Sequence, residues 1–425
     1  MPTFQRTCGL GIVAFVLMVA WSWAVPIFEA PDEPDHWQYV LYVRQHGQLP
    51  LYGPAAIEAN SPPLYYVFAA LFVSPAVSEA DVPRRLNKIE VGGVLQRPPG
   101  PRLFEPAGLT QYWPLRLVRL ATAALSALTV LVCYWAGHSA TGKRSTGLLA
   151  AGLTLLLPQF TFRGMNISND VMVTLWCAVA TYLVIRLVQR GYTWRVGVTA
   201  SVAMALAFLS KISSLFVPVT FALAILSVSS TWRARLGRLT VLIIALALVA
   251  PWLMRNQSLY GDPFASRAML TAVGDLVQPR PITSPYFVTV FPVLLFLSFI
   301  GYFGWITLWL PGWLYLLYGG LVLAALAGLV WRVSRGGPER RLVLLLATLP
   351  MLNVLVVVYI NLTFTQPQGR YLFPALPALA VLGALGFEGL PRWSERAGRV
   401  LWCALLALNV GILALIVVPA YWLAR

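Results

Sequence analysis

From Cys8 to Phe28 the chain runs almost without a charged side chain, and stretches of that kind recur to its end. A helix needs about 20 mostly apolar residues to cross a bilayer, and by that measure the sequence holds roughly eleven such runs. They are Cys8–Phe28, Pro114–Gly137, Gly147–Phe162, Val171–Val188, Val196–Leu209, Ser213–Ser229, Leu239–Leu253, Trp313–Val333, Leu342–Leu362, Tyr371–Leu390 and Val400–Trp422. Lipid cannot satisfy an open backbone, so repeated apolar runs of this length predict an all-α, polytopic membrane protein with about 11 spans. Composition agrees, since 59% of residues are hydrophobic and 11% charged, with a mean hydropathy of +0.73. Tyr286–Leu310 is also apolar, but Gly301, Gly304 and Pro311 interrupt it, and it reads as partly re-entrant or interfacial.

The net charge of +16 is a topology signal. With the N-terminus in the cytoplasm, the inward loops carry Arg6; Lys143 and Arg144; Arg186, Arg190 and Arg195; Arg233, Arg235 and Arg238; Arg332, Arg335, Arg340 and Arg341; and Arg392, Arg396 and Arg399. Most acids then face outward, with Glu388 near the inner end of its span. Bases scattered through short loops make no continuous basic face, so a nucleic-acid partner is not expected. The first run exceeds the apolar core of a signal peptide and is expected to stay as an anchor. Cys8, Cys133, Cys177 and Cys403 all fall inside apolar runs and are expected to pack as small apolar groups. Asn166-Ile-Ser, Asn256-Gln-Ser and Asn361-Leu-Thr match the glycosylation triplet, which recurs by chance.

Residues 29–113 form the largest outward loop. Trp37, Val40, Leu41 and Arg44 fall at helical spacing within Asp35–Gln45, which predicts an interfacial helix with Pro34 in its first turn. Ser61–Ala76 is too short and aromatic for a span and is expected along the outer surface. Ser78–Pro106 turns polar and proline-rich, an irregular excursion able to fold over a site. No soluble domain is expected, so residues 1–425 read as a single transmembrane domain whose chemistry sits at the outer face.

That face is where carboxylates gather. Glu29, Asp32, Glu33, Asp35 and His36 stand within eight residues. One or two acids serve as helix caps; four exceed that need. Mutual repulsion is expected to raise at least one pKa toward a general base, or the cluster binds a cation. Asp170 reads equally as a helix cap or, with Asn166 and Ser168, as a ligand for a polyhydroxylated molecule or a metal shared with Asp32. Lys211, Arg255 and Arg370 sit at the outer edges of three runs, against the inside-positive trend. Each could snorkel; together they suggest a pocket for phosphate.

The order of these motifs carries a resemblance. Asp32-Glu33-Pro34, Ser61-Pro62-Pro63-Leu64-Tyr65-Tyr66, Asn169-Asp170, Leu209-Ser210-Lys211, Pro251-Trp252-Leu253-Met254-Arg255-Asn256, Tyr260-Gly261-Asp262-Pro263 and Gln368-Gly369-Arg370-Tyr371-Leu372-Phe373-Pro374 together resemble the GT-C superfamily of integral-membrane glycosyltransferases. The bacterial members related to protein O-mannosyltransferases and the aminoarabinose transferase of lipid A are the most similar, and Ser298–Trp305 further resembles a little-characterised bacterial branch. The resemblance implies transfer of a hexosyl or pentosyl group from a polyprenyl-phosphate carrier at the outer face of the plasma membrane, in building the cell envelope. The acceptor would be a glycolipid, a cell-wall polymer or a protein. It implies Asp32 as catalytic base with Glu33 alongside. Substrate contacts would come from Asp35, His36, Asp170, Lys211, Arg255, Arg370 and Tyr371. A divalent cation, Mg2+ or Mn2+, could bridge Asp32 and Asp170, since members differ in needing one. Two rivals remain: a transporter or flippase, which would carry inverted repeats and midplane charges not seen in this sequence, and a non-catalytic relative that binds lipid-linked sugar.

Overall fold

A computed structural model describes residues 2–52, 57–77, 112–229, 231–272, 274, 277–336 and 339–423. The chain begins with α1 (Pro2–Ala24), α2 (Glu33–His46) and α3 (Leu64–Ala70), followed by α4 (Trp113–Thr141), α5 (Arg144–Leu155), α6 (Pro158–Arg163) and α7 (Asn169–Arg190). It continues through α8 (Trp194–Ser210), α9 (Val217–Val228), α10 (Trp232–Leu239), α11 (Leu242–Tyr260) and α12 (Ser266–Ala272). α13 (Tyr286–Thr289), α14 (Phe291–Ile300), α15 (Gly312–Ser334), α16 (Glu339–Asn361), α17 (Leu376–Gly389) and α18 (Glu395–Ile412) complete the helices. The sheet among the described residues is a hairpin, β1 (Tyr302–Phe303) with β2 (Leu308–Trp309), in which Tyr302 opposes Trp309.

The architecture is all-α and polytopic. Among the described residues eight helical stretches are long and apolar enough to cross a membrane, and Trp194–Ser210, Ile212–Val228 and Tyr286–Ile300 are shorter apolar ones. Two apolar runs are divided. Gly147–Phe162 breaks at Leu156–Leu157 because Pro158 starts a new helix, and Tyr286–Leu310 ends in the hairpin after Ile300, where Gly304 takes a left-handed φ of 61°. The helix expected over Asp35–Gln45 is α2, and Trp37, Val40 and Leu41 are its buried face. The stretch Ser78–Pro106 lies outside the described residues. Cys8 and Cys403 are exposed and Cys133 and Cys177 buried, all as free thiols. All three triplet asparagines, Asn166, Asn256 and Asn361, are buried, which withdraws them as surface acceptors.

Burial separates centre from rim. The apolar windows of α4, α7 and Gly369–Gly389 are each 72% buried, whereas Trp232–Tyr260 and Gly312–Ser334 are 17% and 22% buried. The first group forms the protein's interior, and the second turns side chains such as Ile243, Leu246, Leu316 and Leu323 toward lipid. Lipid tails are as apolar as leucine, so helices are held by close packing and buried polar links. A Cβ on Gly386 would lie 2.1 Å from the Ala325 carbonyl oxygen, which shows how tightly α17 meets α15. Gly386→Val should cost about 1–3 kcal/mol or more through overpacking, read as a lower thermal midpoint in detergent. Trp21 donates to Asn409 Oδ1 at 3.0 Å, and Asn409 donates to Thr161 Oγ1 at 2.7 Å, fastening α1, α18 and α6.

Candidate active site

The turn between α1 and α2 is held open by a buried ion pair. Arg119, on α4, donates through Nε to Glu33 Oε1 at 2.7 Å and through Nη2 to Oε2 at 2.5 Å, with both side chains fully buried. Glu33 also accepts from the backbone of Phe28 at 2.9 Å and of Ile167 at 3.2 Å, and Arg119 donates to the carbonyls of Ser22, Val25 and Pro26. Glu33, expected beside Asp32 as a catalytic acid, therefore has both oxygens committed. Every good acceptor site it has is occupied, which leaves none for a substrate proton.

That turn forces Asp32 into an uncommon backbone. Its φ is 64°, left-handed for a residue with a Cβ, and Phe28 is likewise at 66°. Such a conformation costs about 1–3 kcal/mol and persists where surroundings impose it. Asp32 occupies the N-cap of α2 without making a side-chain cap bond. Its carboxylate points instead to Arg370, with Oδ2 2.5 Å from Nη2. Capping does not explain Asp170 either, since Ser168 caps α7 by accepting from the Asp170 N–H at 3.2 Å.

Asp170 is the anchor of a basic cluster. Lys211 donates to its Oδ1 at 2.5 Å, Arg163 donates to Oδ2 at 3.2 Å, and Arg370 Nη1 lies 3.9 Å from Oδ2. Tyr371 places its ring under both Lys211 and Arg370, each 5.2 Å from the centroid. Arg163 also donates to the Pro31 carbonyl at 2.9 Å, tying the cluster to the Asp32 turn. Two nitrogens are left over: Nε of Arg163 and Nε of Arg370 are buried without a hydrogen-bond partner among the described residues. Both arginines line a pocket with Pro31, Gln159, Ser298 and Tyr302. Unpaired guanidinium donors on two residues that line one pocket suit an anion.

Crowding was expected to push a carboxylate pKa upward, and for Asp32 the structure reverses this. Burial acts to raise it, but Arg370 and then Arg163 outweigh burial and hold it below the ordinary carboxylate range. The folded pKa is thus lower than the unfolded value of about 3.9. The pairing stabilises the fold fully above that value and is lost as pH falls through the folded pKa. On acidification below about pH 4, the wild-type thermal midpoint should fall more steeply than that of Asp32→Asn.

The other expected residues divide. Glu29 is fully buried, Asp35 is half-buried on the first turn of α2, and His36 is buried with Nδ1 2.9 Å from the Tyr66 hydroxyl. Arg255 stands apart from the cluster: it donates to the carbonyls of Leu49 and Pro50 at 3.3 and 3.2 Å, fixing the segment after α2. Arg163 takes the place expected of it. The signal for Arg163 was available, since it is an outward base ending the apolar run at Phe162. Arg119, a charge inside an apolar run, likewise called for a buried partner. A divalent cation between Asp32 and Asp170 is not favoured by the donor set, because Lys211 and Arg163 take both Asp170 oxygens and Arg370 takes Asp32. Among the described residues no three His, Cys, Asp or Glu side chains converge as a metal site.

The Ser298–Trp305 stretch supports this geometry. Ser298 Oγ accepts from the Gly369 N–H at 2.8 Å and donates to the Pro367 carbonyl at 3.2 Å, and Trp305 donates to the Phe28 carbonyl at 2.8 Å. A Cβ at Gly369 would lie 2.2 Å from the Phe299 nitrogen. Gly369→Ala must therefore shift the backbone that carries Arg370. Its expected result is a lower thermal midpoint in detergent, since the added methyl overpacks a junction that has no room for it.

Known proteins share this arrangement of helices. Residues 113–254 match the family model described as dolichyl-phosphate-mannose-protein mannosyltransferase. An undecaprenyl phosphate-alpha-4-amino-4-deoxy-L-arabinose arabinosyl transferase from Pectobacterium carotovorum is 27% identical over 320 residues, which cover 70% of this chain and 52% of that protein. The chain thus spans about half the length of that relative. ArnT from Cupriavidus metallidurans, solved bound to undecaprenyl phosphate, superposes with a TM-score of 0.55 at 17% identity over 94% of this chain and 65% of ArnT. The archaeal oligosaccharyltransferase AglB from Archaeoglobus fulgidus, solved with an inhibitory peptide and a dolichol-phosphate, gives 0.50 at 11% identity, covering 98% of this chain and 56% of AglB. The chain is a multi-pass membrane protein with the GT-C fold, related in sequence to the integral-membrane glycosyltransferases built on it.

Proposed function

We propose that the chain transfers a sugar from a polyprenyl-phosphate carrier to a hydroxyl-bearing acceptor at the extracytoplasmic face of the plasma membrane, with its N-terminus in the cytoplasm. Residues 1–425 act as one GT-C-like domain. The observation that carries the reading is that Arg163 and Arg370, each buried with an unpartnered Nε, line one pocket, while the partly exposed Asp32 is paired with Arg370. Relatives named for undecaprenyl-phosphate and dolichyl-phosphate chemistry support it. The base-rich Lys143–Arg144 and Arg332–Arg341 loops support the orientation.

In the proposed reaction the Asp32 carboxylate removes the proton of the acceptor hydroxyl as that oxygen attacks the anomeric carbon. The carbon–oxygen bond to the carrier breaks, and the phosphate leaves with the electron pair. A single displacement inverts the anomeric configuration. Arg370 has a double duty: it pairs Asp32 when no donor is bound, and the donor phosphate competes for it. Engagement of the phosphate would release the base and raise its pKa, so the base gains strength when there is something to transfer. Arg163 and Arg370 meet the growing charge on the leaving phosphate, as preorganised donors do in a water-poor site. No step in this scheme passes through a divalent cation, and transfer is expected to persist in EDTA. Arg370→Gln should weaken binding of undecaprenyl phosphate by about 10- to 100-fold, measured on purified protein in nanodiscs. Unchanged affinity would remove the phosphate assignment. The sugar, pentose or hexose, and the acceptor, glycolipid, cell-wall polymer or protein, are read by groups beyond this pocket.

A further inference from the structure

One polar cluster beside Asp32 is not used by the phosphate pocket, and its chemistry is opposite. The Tyr66 hydroxyl is its hub. It lies 2.9 Å from His36 Nδ1, accepts from Asn169 Nδ2 at 3.4 Å and donates to Glu58 Oε2 at 3.4 Å. Ser61 Oγ donates to the same Glu58 oxygen at 2.9 Å, and the Tyr39 ring stacks on Tyr66 at 3.7 Å. The cluster adjoins the base along the chain, because the His36 N–H donates to the Asp32 carbonyl at 3.0 Å in the first turn of α2.

Its leftover capacity is for donors. Asn169 is 2% exposed, and its Oδ1 has no partner among the described residues. Among the described residues no hydrogen bond reaches Glu58 Oε1, and the Glu58 side chain is 23% exposed, so the carboxylate opens toward solvent. Buried polar atoms left unsatisfied cost stability unless something occupies them. An acceptor-rich cluster headed by a carboxylate repels phosphate and suits hydroxyl or ammonium donors on a sugar ring.

We propose that Glu58, Tyr66, Asn169 and His36 form the subsite for the transferred sugar of the lipid donor, and that Glu58 is its specificity-determining residue. The inference rests on the glycosyltransferase reading, with phosphate held at Arg163 and Arg370 and the ring hydroxyls held on the side of Asp32 that His36 marks. It assigns the cluster to the donor sugar and not to a hydroxylated acceptor.

The test measures binding to the full chain in nanodiscs of bare undecaprenyl phosphate and of undecaprenyl phosphate carrying glucose, mannose or 4-amino-4-deoxyarabinose. Wild type should bind at least one glycosylated carrier about tenfold or more tightly than the bare carrier. Glu58→Gln should abolish most of that preference while leaving bare-carrier affinity within about twofold, and Tyr66→Phe, which keeps the stacked ring, should reduce it. These fold-changes are the size of one or two ligand hydrogen bonds. A preference unchanged in Glu58→Gln overturns the proposal, including the case in which only the KM for acceptor rises, which would assign the cluster to the acceptor. Equal losses for bare and glycosylated carriers also overturn it, as general damage. Wild-type protein that binds the bare carrier without preferring any sugar sinks this inference alone, whereas failure to bind any carrier sinks the parent reading with it.

Discussion

Asp32→Asn is expected to lower the turnover of sugar transfer by about 10²- to 10⁴-fold, the range a positioned general base supplies. The substitution keeps size and polarity and removes the negative charge and the ability to accept a proton. Because Asp32 and the donor phosphate compete for Arg370 in the scheme above, the variant should bind undecaprenyl phosphate at least as tightly as wild type. That split between turnover and binding separates loss of a base from loss of the site, since a distorted pocket would weaken both. The left-handed φ of 64° should survive the change, because asparagine tolerates that conformation as well as aspartate does.

Breaking the Glu33–Arg119 pair has the second large expected effect. Both side chains are fully buried, and Glu33 serves Arg119 and two backbone N–H groups at once. Glu33→Gln or Arg119→Met leaves a buried charge without its counterpart, at a cost of about 3–5 kcal/mol. The expected readout is a marked fall of the thermal midpoint in detergent. Replacing both by apolar residues of similar volume, Glu33→Leu with Arg119→Met, should recover only part of the loss, because the unpaired charge is gone but the Phe28 and Ile167 N–H groups and the Ser22, Val25 and Pro26 carbonyls lose their partners. Recovered stability with lost transfer would show that the pair exists to fix the Asp32 turn.

The spans were legible because lipid leaves the backbone few options, and apolar length alone picks out most of them. Places where the fold departs from that reading have local causes. Pro158 splits one run, and Gly301 and Gly304 turn Tyr286–Leu310 into a short helix followed by a hairpin. In the candidate site, Asp32, Asp170, Lys211, Arg370 and Tyr371 come together as their place on the outer side suggested. Spacing could not show which carboxylate meets which base. Glu33 and Asp32 are adjacent in sequence, yet the tight turn sends one into the core to Arg119 and the other to Arg370. Arg255 satisfied the same outward-edge criterion as Arg370 but binds backbone carbonyls, a distinction that only the path of residues 49–50 decides. The orphaned atoms of Arg163 and Asn169 have no sequence signature, because an unsatisfied hydrogen bond is a property of packing.

The most direct measurement is transfer of label from a panel of radiolabelled undecaprenyl-phosphate sugars in bacterial membranes that carry the wild-type chain, the Asp32→Asn chain at matched expression, or neither. The account predicts that label leaves the lipid-donor fraction for an acceptor fraction only with the wild-type chain. Equal transfer by wild type and Asp32→Asn would contradict the assignment of the base, and no transfer by wild type from any donor of a broad panel would contradict the glycosyltransferase reading itself.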